Sequence, residues 1–316
     1  MALCLSRGPH YDSTMKVLYV LGRGRSGSTI FGNVLGELDR FFCGGEIRFL
    51  WDPVVVRSSV CGCGSIVFEC PVWSQVLARL SDVDLDEVVA WQHAIVKEHN
   101  TVKLLRHRRG RSWHALESYA AVMRRLYDAL AGITGARVIV DTSKRPSYAA
   151  FLGTLDEFDP FYVHLVREPH ASAYSWRNRK YTSARGDGEV RRRSALDATV
   201  RWDLLNLGSE AVLRRAGPSR SLRVRYEDFV AAPRTTVESA RELMGETEGA
   251  SPFLDERTVT LGINHTIAGN PSRFATGTLV LEDRSEWRVA QTRVERAITT
   301  LVALPFLRRY GYGVRG

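Results

Sequence analysis

The sequence has 316 residues, 44% of them hydrophobic, so the chain can bury a large core and does not have the composition of a disordered protein. Its 44 Lys and Arg exceed its 35 Asp and Glu, and the resulting net charge of +9 favours either an anionic ligand or a generally basic surface. Nucleic acid is not the expected anion, because the basic clusters at 106–111 and 191–193 lack interleaved aromatic residues and match no zinc-finger or RNA-recognition pattern.

The first predicted elements are a buried strand, a glycine-rich turn and a helix. Residues 15–21 are mostly apolar and rich in strand formers, and residues 30–38 continue as an apolar helical face. The loop between them, residues 22–27, has the sequence Gly-Arg-Gly-Arg-Ser-Gly, which lets backbone N–H groups approach an anion at a helix N-terminus. Its G-x-x-x-x-G spacing is that of a Walker A loop, but Ser28 stands where that motif has Lys. The pattern predicts a phosphate-binding loop, with a structural glycine turn as the alternative.

Three of the five cysteines lie close together in the next segment. Cys61, Cys63 and Cys70 have neither the fourth ligand nor the paired C-x2-C spacing of a structural zinc site, so the sequence predicts no metal. A loop cross-link or buried thiols are favoured over a redox or metal role. The sequence leaves open whether Cys43 lies near them.

The remaining pattern predicts repeated β-α units in one domain covering residues 1–316. Further strands are predicted at 41–43, 137–141, 161–166 and 221–225, and residues 71–132 have helical periodicity. The fold class is therefore α/β, with a P-loop-like central parallel sheet of about five strands flanked by helices. We expect the block at 71–132 to be a helical, substrate-binding insertion beside the cleft at the strand ends.

Two irregular segments are predicted to lie near a ligand. Residues 181–193 are polar and contain glycine, and form either a lid or a solvated loop. Residues 264–287 have few regular patterns and several turn residues, and are expected to fold back over the ligand.

The chain contains neither a recognisable secretion signal nor a hydrophobic span. The first fourteen residues lack an apolar core of signal-peptide length, and no run of about 18 apolar residues occurs. The sequence therefore predicts a cytoplasmic protein without integral membrane contact, and leaves its oligomeric state open.

A second anion site is predicted after the strand at 161–166. Arg167 ends that strand, Pro169 is suited to begin a helix, and Ser175 lies about two turns along that helix. An arginine fork and a serine hydroxyl together suit a phosphate group.

These two segments resemble the phosphosulfate-binding loops of sulfotransferases that use 3′-phosphoadenosine 5′-phosphosulfate. In that family a loop of the type P-[KR]-S-G-[ST]-[ST] holds the 5′-phosphosulfate, and R-x-P-x5-S holds the 3′-phosphate. Residues 25–29 match the first motif with Gly24 in place of proline, and Arg167, Pro169 and Ser175 match the second. The resemblance implies that the nucleotide is bound by Arg23, Gly24, Arg25, Ser26, Gly27, Ser28, Thr29, Arg167 and Ser175, with no metal required.

The resemblance extends to three further segments. Residues 43–48, Cys-Gly-Gly-Glu-Ile-Arg, are similar to the C-G-E-E-T-R segment of tyrosylprotein sulfotransferases, which implies that Glu46 is the catalytic base. Lys144 lies in a segment similar to the N-K-D-P segment, which offers a lysine to the bridging oxygen. Residues 269–274 and 285–287 resemble the C-terminal segment of bacterial members that covers the nucleotide, which implicates Asn270, Arg273 and Ser285.

The implied reaction moves a sulfuryl group by in-line displacement to a hydroxyl of a small molecule, glycan or lipid. Arg25 and Lys144 then supply positive charge, and Glu46 accepts the proton. Glu46 as a helix N-terminal carboxylate and Lys144 as an exposed side chain remain the structural alternatives. His164 and His170 do not lie where cytosolic sulfotransferases have their histidine base, and His164 is expected to be structural.

Two other functions remain open from the residues alone. A P-loop kinase of a small metabolite is favoured by the strand ending at Asp141, which resembles a Walker B strand whose carboxylate binds magnesium. The missing Walker lysine and the Arg167–Ser175 motif weigh against it. A nucleotide-binding protein without catalysis is the third possibility, and it would tolerate loss of Glu46 and Lys144.

Overall fold

A parallel five-stranded sheet organises the chain. The computed structural model describes residues 15–107, 111–155, 158–177, 192–283 and 285–313. The strand order is β2-β3-β1-β4-β5, so the first strand in the sequence is central. The strands are β1 (Lys16–Leu21), β2 (Phe41–Gly45), β3 (Val138–Lys144), β4 (Asp159–Val166) and β5 (Ser221–Arg225).

Helices cover both faces of this sheet. Among the described residues, none of them combines the length and the apolar composition needed to cross a membrane. They are α1 (Ser28–Gly36), α2 (Pro53–Ser58), α3 (Trp73–Arg79), α4 (Leu85–Ile95), α5 (Thr101–Leu105), α6 (His114–Thr134), α7 (Pro146–Leu152), α8 (Pro169–Arg177), α9 (Ala195–Ala216), α10 (Tyr226–Ala231), α11 (Pro233–Met244), α12 (Trp287–Ala290) and α13 (Arg293–Arg309).

The central strand β1 is buried on both faces, as its nearly continuous apolar sequence predicts. Val17, Tyr19 and Leu21 join a core formed largely with α3, α4, α6 and α7. Leu18 and Val20 face the opposite way, into a core with α1, α10 and α11. The helices between 73 and 134 therefore cover one face of the sheet and share its core, which explains their helical apolar periodicity.

The predicted five-stranded parallel sheet is confirmed, and strand β5 has the predicted limits. Strand β3 extends three residues past the predicted end at Asp141, to Lys144. An antiparallel pair of strands, β6 (Thr258–Leu261) and β7 (Gly277–Val280), was not predicted from the sequence, because the second strand is short and mostly exposed.

Residues 264–274, here called the strap, run along the carboxyl edge of the sheet. Ile267 forms a parallel bridge with Gly45 at the end of β2. Its backbone N–H donates to the carbonyl of Gly44 at 3.1 Å, and its carbonyl accepts from the N–H of Glu46 at 3.0 Å. Most of the predicted irregular loop at 181–193 lies outside the described residues.

Candidate active site

Residues 22–27, predicted to bind phosphate and here called the phosphate loop, connect β1 to α1 through two glycines that no other residue can replace without strain. Gly22 has φ 141° and Gly27 has φ 85°. A Cβ on Gly22 would lie 2.4 Å from the carbonyl oxygen of Leu165, and one on Gly27 would lie 2.3 Å from the ring of Tyr226. Gly27 is also the N-cap of α1, so the positive end of this nine-residue helix adjoins the loop.

Trp176 holds the two loop arginines. Its indole Nε1 donates to the carbonyl of Gly24 at 3.0 Å, and its ring lies 4.3 Å from the guanidinium of Arg23 and 5.5 Å from that of Arg25. Burial lowers the pKa of Arg23 to about 9, with a further contribution from Arg193, so Arg23 remains a cation at neutral pH. The loop thus gathers positive charge at the N-terminus of α1.

Several buried polar atoms of the loop have no hydrogen-bond partner among the described residues. Within the described part of the chain, the Ser26 hydroxyl and the Nε and Nη2 atoms of Arg23 are buried without a hydrogen bond. Buried donors of this kind are costly unless a ligand or water satisfies them. Their position beside a helix N-terminus suits the oxygens of a phosphate or sulfate group.

Arg167 follows β4 and touches the loop from the other side. Its Nη1 donates to the carbonyl of Arg25 at 3.1 Å, and its guanidinium lies 4.5 Å from the ring centre of Tyr226. Its Nη2 is 3.9 Å from a carboxylate oxygen of Asp283, and its Nε is buried with no hydrogen-bond partner among the described residues. Arg167 therefore has donor capacity left for an anion.

A cleft of about 670 Å³ lies between the phosphate loop and Arg167. Its polar lining includes Arg25, Arg167 and Ser175, and Ser175 lies in the last turn of α8. Gly27 and Asn270 also line it, whereas the other predicted nucleotide-binding residues of the described chain lie outside its lining. An apolar wall faces the arginines, consisting of Ile30, Val230, Leu279, Val280, Leu281 and Trp287. A cationic end and an apolar wall together suit a nucleotide, which has phosphates and a flat base.

The strap closes one side of the cleft. The Oδ1 atom of Asn270 accepts a short hydrogen bond from Arg25, and the backbone N–H of Asn270 donates to the Thr29 hydroxyl at 3.2 Å. Arg273 donates instead to the carbonyl of Gly269 at 2.8 Å. Ser285 is exposed. Of the three predicted C-terminal residues, only Asn270 contacts the phosphate loop.

A buried charge cluster lies at the ends of β2 and β3. Oε1 of Glu46 is 2.6 Å from Nζ of Lys144, and Oε2 is 3.6 Å from Nη2 of Arg48. The ammonium of Lys144 also donates to the carbonyl of Thr142 at 3.0 Å. The 3.6 Å between Glu46 Oε2 and Arg48 Nη2 exceeds the length of a hydrogen bond, so Oε2 stays available as an acceptor beside a cation.

The charges of this cluster hold Glu46 ionised. Burial alone would raise the pKa of Glu46, but the charges of Lys144 and Arg48 outweigh it, and the pKa lies below its ordinary value. Burial lowers the pKa of Lys144, an effect that the Glu46 carboxylate opposes. The pair therefore combines a carboxylate able to accept a proton with an adjoining cation.

Two of the predicted catalytic residues have unusual backbones. Arg25 has φ 78° and Lys144 has φ 73°, in the left-handed region that side-chain-bearing residues rarely adopt. The backbone N–H of Gly22 donates to the carbonyl of Lys144 at 3.3 Å, which ties the phosphate loop to the charge cluster. Strain of this kind is tolerated most often where it positions functional groups.

Three residues of this region were not among the predicted site residues. Arg48 adjoins Glu46, Trp176 supports the loop arginines, and Tyr226 lies under Gly27 and Arg167. Arg48 lies in the Cys-Gly-Gly-Glu-Ile-Arg segment, and Tyr226 directly follows a predicted strand. These positions could have indicated a role for Arg48 and Tyr226. Nothing in the local sequence predicts the contact of Trp176 with the loop.

Asp141 does not have the surroundings of a magnesium ligand. It is fully buried, and its oxygens accept hydrogen bonds at 2.8 Å from the Tyr127 hydroxyl and from the backbone N–H of Ser143. Burial raises its pKa to about 6. Tyr127 belongs to the core on the sheet face opposite α1, so this carboxylate points away from the phosphate loop's helix.

The two histidines considered from the sequence are both buried. His164 contacts the Asn206 side chain at 2.9 Å, and burial lowers its pKa to about 4, in agreement with the expected structural role. His170 contacts Glu168 and the Thr300 hydroxyl and stacks on Trp287. Both nitrogens of His170 have partners, whereas Nδ1 of His164 is buried without one among the described residues.

Comparison with known proteins supplies a family. A family model described as the sulfotransferase family matches residues 18–247, which is well over half of the chain. No curated protein sequence gives a significant match.

Solved structures give a matching fold. A sulfotransferase domain from the curacin biosynthetic pathway has a TM-score of 0.54 and 17% identity, with 96% of this chain and 99% of that one covered. A sulfotransferase domain from the olefin synthase of Synechococcus PCC 7002 has a TM-score of 0.48 and 18% identity, with 95% and 97% covered. The first of these likenesses shows a shared fold over nearly the whole length of both chains.

Proposed function

Because the chain belongs to the sulfotransferase family, we propose that it transfers the sulfuryl group of 3′-phosphoadenosine 5′-phosphosulfate to a hydroxyl of an acceptor. The observation that carries this proposal is the cleft joining the phosphate loop to Arg167 and Ser175, with buried donors of Arg23, Ser26 and Arg167 unsatisfied by the described protein. Two separate groups of donors suit a ligand with two separate anionic groups.

The nucleotide is oriented by this division. Residues 23–29 would hold the 5′-phosphosulfate, because they combine the helix N-terminus with two guanidinium groups held by Trp176. Arg167 and Ser175 would hold the 3′-phosphate. Asn270, through its hydrogen bonds to Arg25 and Thr29, fixes the loop arginine and the strap together. Arg273 and Ser285, also predicted to bind the nucleotide, do not line the cleft.

The donor supplies an activated sulfuryl group whose leaving group is the 5′-phosphate of the nucleotide. The acceptor oxygen forms a bond to sulfur as the bond from sulfur to the bridging oxygen breaks, and negative charge develops on the departing phosphate. Arg25 and Lys144 would stabilise that charge, as cationic groups do in phosphoryl transfer. Glu46 would accept the acceptor's hydroxyl proton on Oε2.

The ion pair between Glu46 and Lys144 gives this mechanism a natural order. In the free protein Lys144 keeps Glu46 ionised and weakly basic. As Lys144 begins to interact with the leaving phosphate, it stabilises the carboxylate of Glu46 less, and the pKa of Glu46 rises. The base then becomes stronger as the leaving group is neutralised.

The acceptor is proposed by class only, as a small molecule, glycan or lipid that bears a hydroxyl. The helices from α3 to α6 adjoin the charge cluster: Gln92 on α4 donates to the carbonyl of Arg48 at 2.9 Å and to the Tyr119 hydroxyl of α6 at the same distance. Substrate selection is therefore proposed to involve this helical block. No metal takes part in the proposed reaction.

Binding measurements separate this function from a kinase. Thermal stabilisation should be larger with 3′-phosphoadenosine 5′-phosphate, without magnesium, than with ATP and magnesium, and Arg167→Ala should remove most of it. Arg214→Ala, which changes an exposed arginine on α9, is the matched control and should keep the full effect. Preferential stabilisation by ATP and magnesium would overturn the proposal.

A protein that binds the nucleotide without catalysis is separated by activity. Such a protein would bind the nucleotide but show no sulfuryl transfer, in the wild type as in Glu46→Gln and Lys144→Gln. Under the proposed mechanism both variants bind the nucleotide but transfer the sulfuryl group slowly.

A further inference from the structure

Three cysteines and one histidine meet in a cluster outside the proposed catalytic groups. The Sγ atoms of Cys61, Cys63 and Cys70 and a ring nitrogen of His265 all lie within 4.8 Å of one another. Cys70 Sγ and His265 Nδ1 are 3.2 Å apart. Cys61 and Cys70 are buried, and the other two residues are partly buried.

The cluster is built from two distant parts of the sequence. Cys61 and Cys63 lie on a tight turn flanked by the antiparallel bridge between Val60 and Ile66, in which the N–H of Cys61 donates to the carbonyl of Ser65 at 2.8 Å. Cys70 follows shortly before α3. His265 belongs to the strap and supplies the fourth ligand that the sequence pattern did not show. It lies 195 residues from Cys70, too far along the chain for a local pattern to reveal it.

Backbone contacts fix the histidine beside the cysteine turn. Trp73 donates from its indole nitrogen to the carbonyl of His265 at 2.6 Å. The N–H of Gly62 donates to the carbonyl of Thr266 at 3.0 Å, and a Cβ on Gly62 would lie 2.0 Å from the Asn264 side chain. The strap and the cysteine turn are therefore in direct contact on both sides of His265, which leaves the ring little freedom to move away.

The donor set is that of a closed tetrahedral metal site. Zinc bonds to cysteine sulfur at about 2.3 Å and to histidine nitrogen at about 2.0–2.1 Å, so its ligand atoms lie roughly 3.5–3.8 Å apart. The cluster reaches this spacing by small side-chain adjustments. A disulfide would use only two of the three sulfurs and would leave the imidazole unexplained.

We propose that Cys61, Cys63, Cys70 and His265 bind one structural Zn²⁺ ion. Four protein ligands leave no open coordination position, so the ion stabilises the fold rather than activating a substrate. This proposal replaces the sequence expectation that no metal is present, an expectation based on a missing fourth ligand.

The ion would fasten the strap at the point where it meets the active site. Two residues after His265, Ile267 bonds to Gly44 and Glu46, and Asn270 then contacts Arg25. If the proposed function is right, loss of the ion should loosen these contacts and weaken binding of 3′-phosphoadenosine 5′-phosphate.

Metal content of the purified full-length chain tests the site without reference to activity. We expect one zinc per chain by elemental analysis, and a cobalt-substituted protein with the visible bands of a tetrahedral thiolate site. Cys70→Ser and His265→Ala should lower the zinc content and the melting temperature. His265→Cys should retain zinc, and Cys43→Ser, which changes a buried cysteine outside the cluster, is the matched control and should retain it too.

Wild-type protein keeps the test decisive even where a variant fails to fold. Reduced wild-type protein that contains no zinc and binds neither added zinc nor cobalt would overturn the proposal, as would a disulfide between two of these cysteines or iron in place of zinc. Zinc bound by a protein that fails to bind the nucleotide would leave the metal site intact and contradict the proposed function instead.

Discussion

The two sides of the phosphate loop satisfy their charges in opposite ways. On the cleft side, Arg167 keeps a buried guanidinium Nε that no described residue satisfies, and Arg23 in the adjoining loop keeps two such nitrogens. On the other side, Glu46 and Lys144 neutralise one another at 2.6 Å. We therefore expect the cleft side to bind an anion from solution. The charges of Glu46 and Lys144 neutralise one another in the free protein, and we expect them to act only during the reaction.

This difference predicts how each side responds to mutation. Changes on the cleft side should alter nucleotide affinity, because the lost contacts are made to the ligand in its bound ground state. Changes in the charge cluster should alter turnover with little effect on affinity, because those charges act mainly as the transition state forms.

The largest effect is expected from Glu46→Gln. Loss of a general base typically lowers the rate about 10²- to 10⁴-fold, while nucleotide affinity should be nearly unchanged. The measurement is transfer of labelled sulfuryl to a hydroxyl acceptor, beside calorimetric binding of 3′-phosphoadenosine 5′-phosphate. Glu87→Gln, on the exposed side of α4, serves as control. Full turnover in Glu46→Gln would show that another group is the base.

Lys144→Gln should lower turnover by roughly 10²- to 10³-fold and should also change the pH dependence. In the wild type, the acid limb of the kcat/KM profile should lie below the ordinary pKa of a glutamate, because Lys144 and Arg48 lower the pKa of Glu46. Without the lysine charge, burial raises that pKa, and activity should disappear at a higher pH. An acid limb at the same pH in both proteins would show that Lys144 does not lower the pKa of Glu46.

A smaller effect is expected on the cleft side from Trp176→Leu. Contacts between a cation and an aromatic ring contribute about 0.5–2 kcal/mol, so nucleotide affinity should fall by roughly 2- to 30-fold with a modest change in turnover. Trp176→Phe keeps a ring but loses the hydrogen bond to Gly24, and should have an intermediate affinity. Unchanged nucleotide affinity in Trp176→Leu would show that Trp176 does not position the loop arginines for binding.

The smallest effect on activity is expected from Asp141→Asn. The raised pKa of Asp141, about 6 against 3.8, means that the folded state binds its proton more tightly than the unfolded state. Stability contributed by this group is therefore lost as pH rises from about 4 to about 6, and the neutral amide should raise the melting temperature at pH 7 relative to wild type. Turnover should change little. Abolished activity would instead indicate a magnesium ligand and favour the kinase.

Local sequence was sufficient to predict the strand, loop and helix around residues 22–27 but not the residues that surround the loop's charges. The glycines of the loop and Arg167, Pro169 and Ser175 lie within single strand-turn-helix units, where chain direction alone brings them to one sheet edge. The partner of Glu46 required the parallel neighbours β2 and β3 to be known. The contact of Arg25 with Asn270 spans 245 residues, and that of Cys70 with His265 spans 195, so no local pattern predicts either.

The most direct test of the proposed site asks whether Arg167 binds the 3′-phosphate of the nucleotide. Titration calorimetry on wild type and Arg167→Ala would compare 3′-phosphoadenosine 5′-phosphate with adenosine 5′-phosphate, which lacks the 3′-phosphate. Wild type should prefer the doubly phosphorylated nucleotide. Because charge-assisted hydrogen bonds contribute about 1.5–3 kcal/mol, Arg167→Ala should reduce that preference by roughly 10- to 150-fold and leave affinity for adenosine 5′-phosphate nearly unchanged. Equal losses for both nucleotides would contradict the assignment of Arg167 to the 3′-phosphate.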